Sequence, residues 1–139
     1  LRQAKEVVPE IKLVDAGGAD PYMLMKLAPD ALDNFHPVTR GPGLDDPIVA
    51  PIVKRYREKY NMDPMSYVFS GYDVMMLYKG AMERAGSVTD TAKIREEMTK
   101  TNYHGLIGHY YYDKNNESNL VGFVGSFKNG KLKLWKLTK

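Results

Sequence analysis

The placement of proline divides the chain into two parts that must fold differently. All eight prolines lie within the first 64 of the 139 residues. A proline breaks a helix interior and removes a hydrogen bond from a sheet. The first half is therefore predicted to consist of short elements, whereas the second half can form long ones. The stretch from Thr39 to Pro47 is rich in Gly, Pro and Asp, and it is predicted to be an irregular linker.

The first 40 residues have the pattern of a strand, a loop and a helix. Ile11 to Asp15 alternate in polarity and are followed by Gly17-Gly18, which is typical of a short strand that ends in a tight loop. Asp20-Pro21 then provides an N-cap and a first-turn proline for a helix that runs to about Leu27. Residues 34–38 are predicted to form a second strand.

Three helices are predicted in the middle of the chain. The first has an apolar stripe that ends near Asn61, made of Val49, Ile52, Val53, Tyr56 and Tyr60. Asp63-Pro64 is predicted to open the second helix, which Gly86 ends; a shorter alternative begins at Ser70. The stripe of this second helix comprises Tyr67, Gly71, Val74, Met75, Tyr78, Met82 and Ala85, and because the chain is expected to complete neither lobe, we expect such helix stripes to stay uncovered. Asp90 is predicted to cap the third helix, with Ile94 and Met98 facing inward.

The last third of the chain is predicted to be β. Residues 106–112 are rich in strand-forming side chains, and residues 113–117 form a polar turn. Residues 120–127 and 131–137 flank Asn129-Gly130, which is the strongest short signal for a hairpin.

The composition is that of one ordinary globular core. Hydrophobic residues make up 43% of the chain, charged residues 27%, the net charge is +3, and there is no cysteine. Disulfides and thiolate chemistry are therefore excluded, and no apolar run approaches the ~18 residues that a membrane span requires. Because the chain opens at Leu1 without an initiator methionine, we expect it to be a piece of a longer protein.

Few residues have a spacing that would support catalysis. The three histidines, His36, His104 and His109, are far apart in the sequence, so a metal site would need a coincidence of folding. Nucleophile elbows, phosphate loops and dinucleotide fingerprints are absent, so neither an enzyme nor a cofactor is predicted. The basic residues of the tail suggest either a nucleic-acid patch or a solvated strand face, and we favour the strand face, without a nucleic-acid partner. These residues are Lys128, Lys131, Lys133, Lys136 and Lys139 around Trp135.

The order of several short segments resembles a known family. The segments are residues 51–64, Gly71-Tyr-Asp-Val74, residues 81–87, residues 91–98, Tyr103-His-Gly-Leu-Ile-Gly108 and Tyr112-Asp113. In this order and spacing they resemble the carboxyl-terminal part of the type I periplasmic solute-binding proteins, and specifically the branched-chain amino acid (Leu/Ile/Val) binding proteins of ABC importers. The resemblance covers nearly the whole chain.

The resemblance implies an α/β fold of two lobes, each a three-layer structure with a mostly parallel sheet, of which this chain is a fragment. Residues 1–40 would belong to the second lobe, 41–47 to a hinge linker, 48–112 to the first lobe and 113–139 to the second lobe again. Because neither lobe would be complete, we expect either a homodimer, which is the preferred alternative, or a rearranged single sheet. That sheet would contain the strands near Ile11, Phe35, Ile107, Phe123 and Leu134.

The resemblance also implies ligand-binding residues in a cleft between the lobes. Tyr72 matches a family position that faces the cleft, and Phe69 lies one turn earlier and could line the entrance. Family members often have an acidic residue for the ligand's ammonium where this chain has Gly17 and Gly18. Asp20 is the nearest carboxylate, and its role as an N-cap is weighed equally with ligand contact. Tyr22 is a weaker candidate.

The implied function is binding without chemical change. The expected ligand is a branched-chain amino acid or a similar amino acid, amide or organic acid, and the expected partner is an ABC permease in the membrane. The expected location is periplasmic or extracellular. A receptor or regulatory module of the same fold that senses a ligand without transport is the alternative.

Overall fold

The computed structural model describes residues 1–137 except Ala16, Asn119 and Val121. The helices are α1 (Arg2–Val7), α2 (Pro21–Leu27), α3 (Ala50–Tyr60), α4 (Ser66–Ala85) and α5 (Thr91–Thr99), with a 3₁₀ turn at Pro29–Ala31. The strands are β1 (Leu13–Asp15), β2 (Phe35–Thr39), β3 (Asn102–His104), β4 (His109–Tyr111), β5 (Phe123–Lys128) and β6 (Lys131–Lys136). Val121 of the predicted strand 120–127 and Lys139 of the basic tail lie outside the described residues. Among the described residues, no helix combines the length and apolar character that crossing a bilayer requires.

The chain divides into two compact units. The first contains residues 1–67 and 121–139, and the second contains residues 68–120. The first boundary lies within the first turn of α4, whereas the sequence suggested a division at the linker 41–47; α3 therefore belongs to the same unit as the linker. The second boundary follows residue 120, not residue 112. How these segments are shared between the lobes of the whole protein stays a prediction.

The first unit is built on a four-stranded sheet with the order β1-β2-β5-β6. β1 and β2 are parallel and are connected through α2, while β2–β5 and β5–β6 are antiparallel. The parallel pairing expected of complete lobes is therefore limited to one strand pair in the described part of this chain. Leu32, Phe35 and Phe127 form the core against this sheet, and the rings of Phe35 and Phe127 are stacked 6.3 Å apart.

The second unit contains α5, most of α4 and the antiparallel β3–β4 hairpin. The strand predicted over residues 106–112 is confirmed only at 109–111, and β3 was not predicted. The alternative prediction of one rearranged sheet is wrong for the strand near Ile107. The corresponding strand, β4, pairs with β3 in a separate two-stranded sheet and does not join the first sheet.

Most predicted ends of elements are confirmed because they depend on neighbouring residues. Asp20 caps α2, and Asp90 caps α5. Asn61 ends α3 in the left-handed conformation, with φ at 51°. Asn129 and Gly130 both have positive φ, 51° and 70°, as a tight turn between β5 and β6 requires.

The predicted start of α4 is wrong, and its buried face differs from the predicted apolar stripe. The helix begins at Ser66, not at Pro64 or Ser70. Oδ1 of Asp63 pairs with Nε of Arg57 at 2.6 Å, and the N–H of Ser66 donates to Asp20. The buried residues of α4 are Ser66, Phe69, Asp73, Leu77 and Ala81. Most of the predicted stripe is exposed, including Tyr67, Val74, Met75 and Tyr78, in agreement with the expectation that a chain completing neither lobe leaves its helix stripes uncovered. Both stripes have helical spacing, so the sequence pattern alone did not choose between them.

Candidate functional site

The loop after β1 is held by the carboxylate of Asp15. Its oxygens accept hydrogen bonds from the backbone N–H groups of Gly17 (3.0 Å), Gly18 (3.2 Å) and Ala19 (3.0 Å). Gly17 has a φ of 95°, which a residue with a side chain rarely adopts. Glycine is required at position 17 because the loop needs this positive φ for the N–H of Gly17 to reach the carboxylate of Asp15. Gly18 is exposed, and its N–H group is engaged by Asp15.

Asp20 connects the starts of two helices. Its Oδ1 accepts from the N–H groups of Tyr22 and Met23, both at 3.0 Å. Its Oδ2 accepts from the N–H and the hydroxyl of Ser66, at 2.7 and 2.8 Å. Asp20 is buried, and the four bonds occupy both carboxylate oxygens. The capping role of Asp20 is thus present, and a ligand ammonium would have to compete with these donors; the ligand contact stays a prediction.

A groove in the first unit lies beside the linker. Its volume is about 750 Å³, and Tyr22, Leu44, Arg57 and Lys133 are among the residues that line it. The hydroxyl oxygen of Tyr22 accepts from the N–H of Leu44 at 3.0 Å, so this tyrosine holds the linker segment. Burial, with the charge of Asp45 nearby, raises the pKa of Tyr22 and keeps its hydroxyl neutral.

The two aromatic residues predicted for the ligand cleft have different environments in α4. Tyr72 is 40% exposed and can therefore contact a ligand. Phe69 is 0% exposed. Its ring lies in the interior of this chain. A residue at the entrance of a cleft must be accessible to solvent, so this position does not favour the entrance role of Phe69, which stays a prediction.

Asp73 is the polar residue that the sequence interpretation missed. It is fully buried, and it accepts hydrogen bonds from the N–H groups of Leu106 (2.8 Å) and Ile107 (3.0 Å) and from the hydroxyl of Tyr110 (3.1 Å). Gly105 leaves space for the carboxylate, because a Cβ at this position would lie 2.5 Å from Oδ2 of Asp73. Asp73 therefore fixes the loop between β3 and β4. Its position four residues after Phe69 and four before Leu77, on the buried face, was the available signal.

Two tyrosines near Asp73 are held in the neutral form. Burial, followed by the charge of Asp73 and its hydrogen bond, raises the pKa of Tyr110 well above the ordinary value. Burial and the charges of Asp73 and Tyr72 also raise the pKa of Tyr103. The two rings lie 6.0 Å apart. This arrangement favours a hydrogen-bond donor at Tyr110 over a phenolate, because a phenolate beside a buried carboxylate would be repelled.

The fold brings two of the three histidines together. The β3–β4 register places His104 opposite His109, and their rings are stacked 4.0 Å apart. His36 lies on β2, with Nδ1 3.2 Å from the carbonyl oxygen of Gly125. Within the described part of the chain, no group of three or more His, Cys, Asp or Glu side chains could hold a metal ion.

The basic tail has the alternation expected of a solvated strand face. Lys131 and Lys133 are exposed, whereas Leu132 and Leu134 are half-buried. The ammonium of Lys133 lies 5.4 Å from the ring centre of Trp135, which is on the same face. The strand interpretation is confirmed for residues 131–136.

Comparisons with known proteins agree with the fold. A family model described as periplasmic binding protein matches residues 1–125. A leucine-binding protein of Thermotoga maritima is 31% identical, with a TM-score of 0.79 over 96% of this chain and 39% of its own. No curated protein sequence matches the chain.

Two further solved structures share the fold at lower identity. A branched-chain amino acid transporter substrate-binding protein of Streptococcus pneumoniae, in complex with isoleucine, is 17% identical, with a TM-score of 0.77 over 97% of this chain and 40% of its own. A solute-binding protein of R. palustris, in complex with benzoate, is 18% identical, with a TM-score of 0.72 over 91% of this chain and 35% of its own. The chain thus spans about two fifths of the length of these relatives.

Proposed function

Because the chain belongs to the periplasmic binding protein family, we propose that the whole protein is the extracytoplasmic solute-binding component of an ABC transporter. The family match over residues 1–125 is the observation that carries this proposal. The protein would work outside the cytoplasmic membrane and deliver its ligand to a membrane permease. Family members of this kind are binding proteins, and we propose that this one likewise leaves its ligand chemically unchanged.

The proposed ligand is a branched-chain amino acid or a similar small amino acid, amide or organic acid. The relatives are described as binding leucine, isoleucine and benzoate, so an apolar group next to a carboxylate is the shared chemistry. Such a ligand would sit in an inter-lobe cleft of the whole protein, where apolar walls exclude water and a few polar groups fix its orientation.

Two parts of this chain are proposed to meet the ligand. Tyr72 offers an exposed ring for the apolar side chain and a hydroxyl for a polar group. Gly18 offers an exposed position without a side chain, in the loop that Asp15 holds. The carboxylates of Asp15 and Asp20 are both occupied by local hydrogen bonds. An amino-acid ligand that uses Asp20 would therefore place its ammonium in competition with these donors, whereas an organic acid needs no acceptor.

The proposal is tested in the whole protein by calorimetric titration with leucine, isoleucine, valine and benzoate. Tyr72→Ala should weaken the affinity for the bound ligand by about 1–3 kcal/mol and leave the melting temperature of the ligand-free protein nearly unchanged. Tyr78→Ala is the matched control, because Tyr78 is on the same helix and is similarly exposed, at 46%. Since about 120° separates the two positions around a helix, the control should keep the affinity of the unmodified protein.

Three results would contradict parts of the proposal. If none of the four compounds binds, the proposed ligand class is wrong. An unchanged dissociation constant in Tyr72→Ala would remove Tyr72 from the site. Ligand binding without uptake, in cells that carry the cognate permease, would favour a sensing receptor over a transport component.

A further inference from the structure

The exposed face of the β3–β4 hairpin has an unusual set of side chains. Because strand residues alternate, Asn102 and His104 of β3 lie on one face with His109 and Tyr111 of β4. His104 and Asn102 are exposed, while Tyr110 on the opposite face is buried. The hairpin therefore turns two imidazoles and an amide toward solvent, and the proposed ligand site does not use them.

The two imidazoles are direct neighbours. His104 pairs with His109 in the antiparallel register, their ring centres lie 4.0 Å apart, and the ring planes differ by 7°. The N–H of Gly105 donates to the carbonyl of Gly108 at 2.8 Å, immediately beside this pair. In an antiparallel ladder, the pair next to such a bonded pair is a non-hydrogen-bonded one, in which the side chains approach most closely.

The hairpin holds this pair in place before anything binds. Asp73 accepts from the N–H groups of Leu106 and Ile107, so the loop that joins the two strands is tied to α4 within the same unit. Its carboxylate is fully buried. A ligand of the two rings would therefore need little ordering of the backbone, which lowers the free-energy cost of binding.

The hydrogen bond of His109 sets which ring nitrogen can bind a metal. Nε2 lies 2.6 Å from Oδ1 of Asn102. An amide oxygen only accepts, so Nε2 carries the proton and Nδ1 carries the lone pair. Metal-binding histidines in proteins commonly donate their second N–H to an oxygen in this way, which fixes the tautomer and strengthens the ligand.

We propose that His104 and His109 form a binding site for a divalent first-row transition-metal ion, with copper(II) bound most tightly. Imidazole nitrogens suit copper, nickel and zinc, and copper(II) has the highest affinity in this series. A metal lies in the plane of each imidazole that binds it, about 2.0 Å from the nitrogen, so the two nearly parallel rings must turn out of their stack toward a common point when the metal binds. Water completes the coordination, because the described residues supply no third His, Cys, Asp or Glu ligand.

Copper(II) titration of the full chain, prepared without an affinity tag and followed by electron paramagnetic resonance, tests this site. We expect one copper per chain with nitrogen ligands at neutral pH. His104→Asn should lower the affinity at least about tenfold, and Asn102→Ala should lower it about tenfold by releasing the tautomer of His109. His36→Asn is the matched control and should leave the affinity unchanged, because His36 lies on β2 with its Nδ1 3.2 Å from the carbonyl oxygen of Gly125 and is no part of the β3–β4 pair.

A second measurement does not depend on the folding of a variant. Substoichiometric copper(II) should broaden the imidazole C–H proton signals of His104 and His109 in the unmodified chain before those of His36. Equal affinity in the unmodified chain and in His104→Asn would overturn the proposal. Simultaneous broadening of all three histidines would also overturn it, because that result indicates unspecific binding. Neither outcome affects the proposed solute-binding function, which uses other residues.

Discussion

Replacing Asp73 with Asn should destabilise the second unit although the two side chains have nearly the same shape. Asp73 accepts from two backbone N–H groups and one hydroxyl, at 2.8–3.1 Å, in a fully buried position. An amide has one accepting oxygen, so at least one buried N–H loses its partner, at a cost of about 1–3 kcal/mol. The bonds that survive are no longer charge-assisted and become roughly half as strong. Relief of the buried charge offsets part of this loss, and we expect a net loss of about 2–4 kcal/mol.

Asp113→Asn is the matched control for this substitution. The carboxylate of Asp113 also accepts from two backbone N–H groups, those of Asn115 (2.8 Å) and Glu117 (2.9 Å), in the same unit, but Asp113 is exposed. Both N–H groups bond to the same oxygen, Oδ1, which Asn retains, so this variant should cost less than about 1 kcal/mol. The comparison therefore contrasts a buried carboxylate that accepts through both oxygens with an exposed one that accepts through a single oxygen.

Urea unfolding followed by circular dichroism gives the free energies, and hydrogen exchange gives the local effect. The amide protons of Leu106 and Ile107 should exchange faster in Asp73→Asn, because they lose the acceptor that protects them. The reasoning is refuted if Asp73→Asn costs no more than Asp113→Asn and the exchange of both amides is unchanged.

Three further predictions concern the caps, the buried tyrosine and the hairpin. Asp20→Ala should lower the free energy of unfolding by about 2–3 kcal/mol, and Asp90→Ala should lower it by about 1 kcal/mol, both measured by thermal unfolding. The difference arises because Asp20 accepts hydrogen bonds at the starts of two helices and Asp90 at the start of one. The pKa of Tyr110 is raised in the folded protein, so the folded protein keeps a proton that the unfolded chain releases near pH 10. The contribution of neutral Tyr110 to the free energy of unfolding is therefore complete below about pH 10 and is lost as the pH rises further. Tyr110→Phe should accordingly show a smaller alkaline loss of stability in urea titrations between pH 9 and 12. Gly130→Ala should cost about 1–2 kcal/mol in urea unfolding, because φ is 70° at this position; an unchanged midpoint would contradict the turn geometry.

The sequence by itself determined the features that depend on neighbouring residues. Asp20-Pro21 opens α2, Asn61 ends α3, and Asn129-Gly130 turns the last hairpin, as predicted. Each of these signals acts over two to four residues, so the chain carries both the donor and the acceptor, or the required backbone freedom, within the pattern itself. The order of several such segments also sufficed to indicate the family.

Tertiary structure decided the features whose partners are distant in the chain. Asp63 was expected to cap α4, but Arg57 holds its carboxylate, and Asp20, 46 residues away, accepts from Ser66 instead. The buried face of α4 contains Asp73, which the sequence pattern disfavours in a core, because the backbone of the loop 33 residues further on supplies its donors.

The histidine pair of the β3–β4 hairpin was also decided by the fold and not by the sequence pattern. His104 and His109 are only five residues apart, but it is the β3–β4 register that stacks their rings. The three residues of β3 carried no sequence signal that predicted this strand. A polar group becomes stable in the interior, or a ligand pair forms, only when the fold brings its partner within hydrogen-bond or contact distance. That distance is a property of the folded chain and cannot be read from the spacing of residues in the sequence.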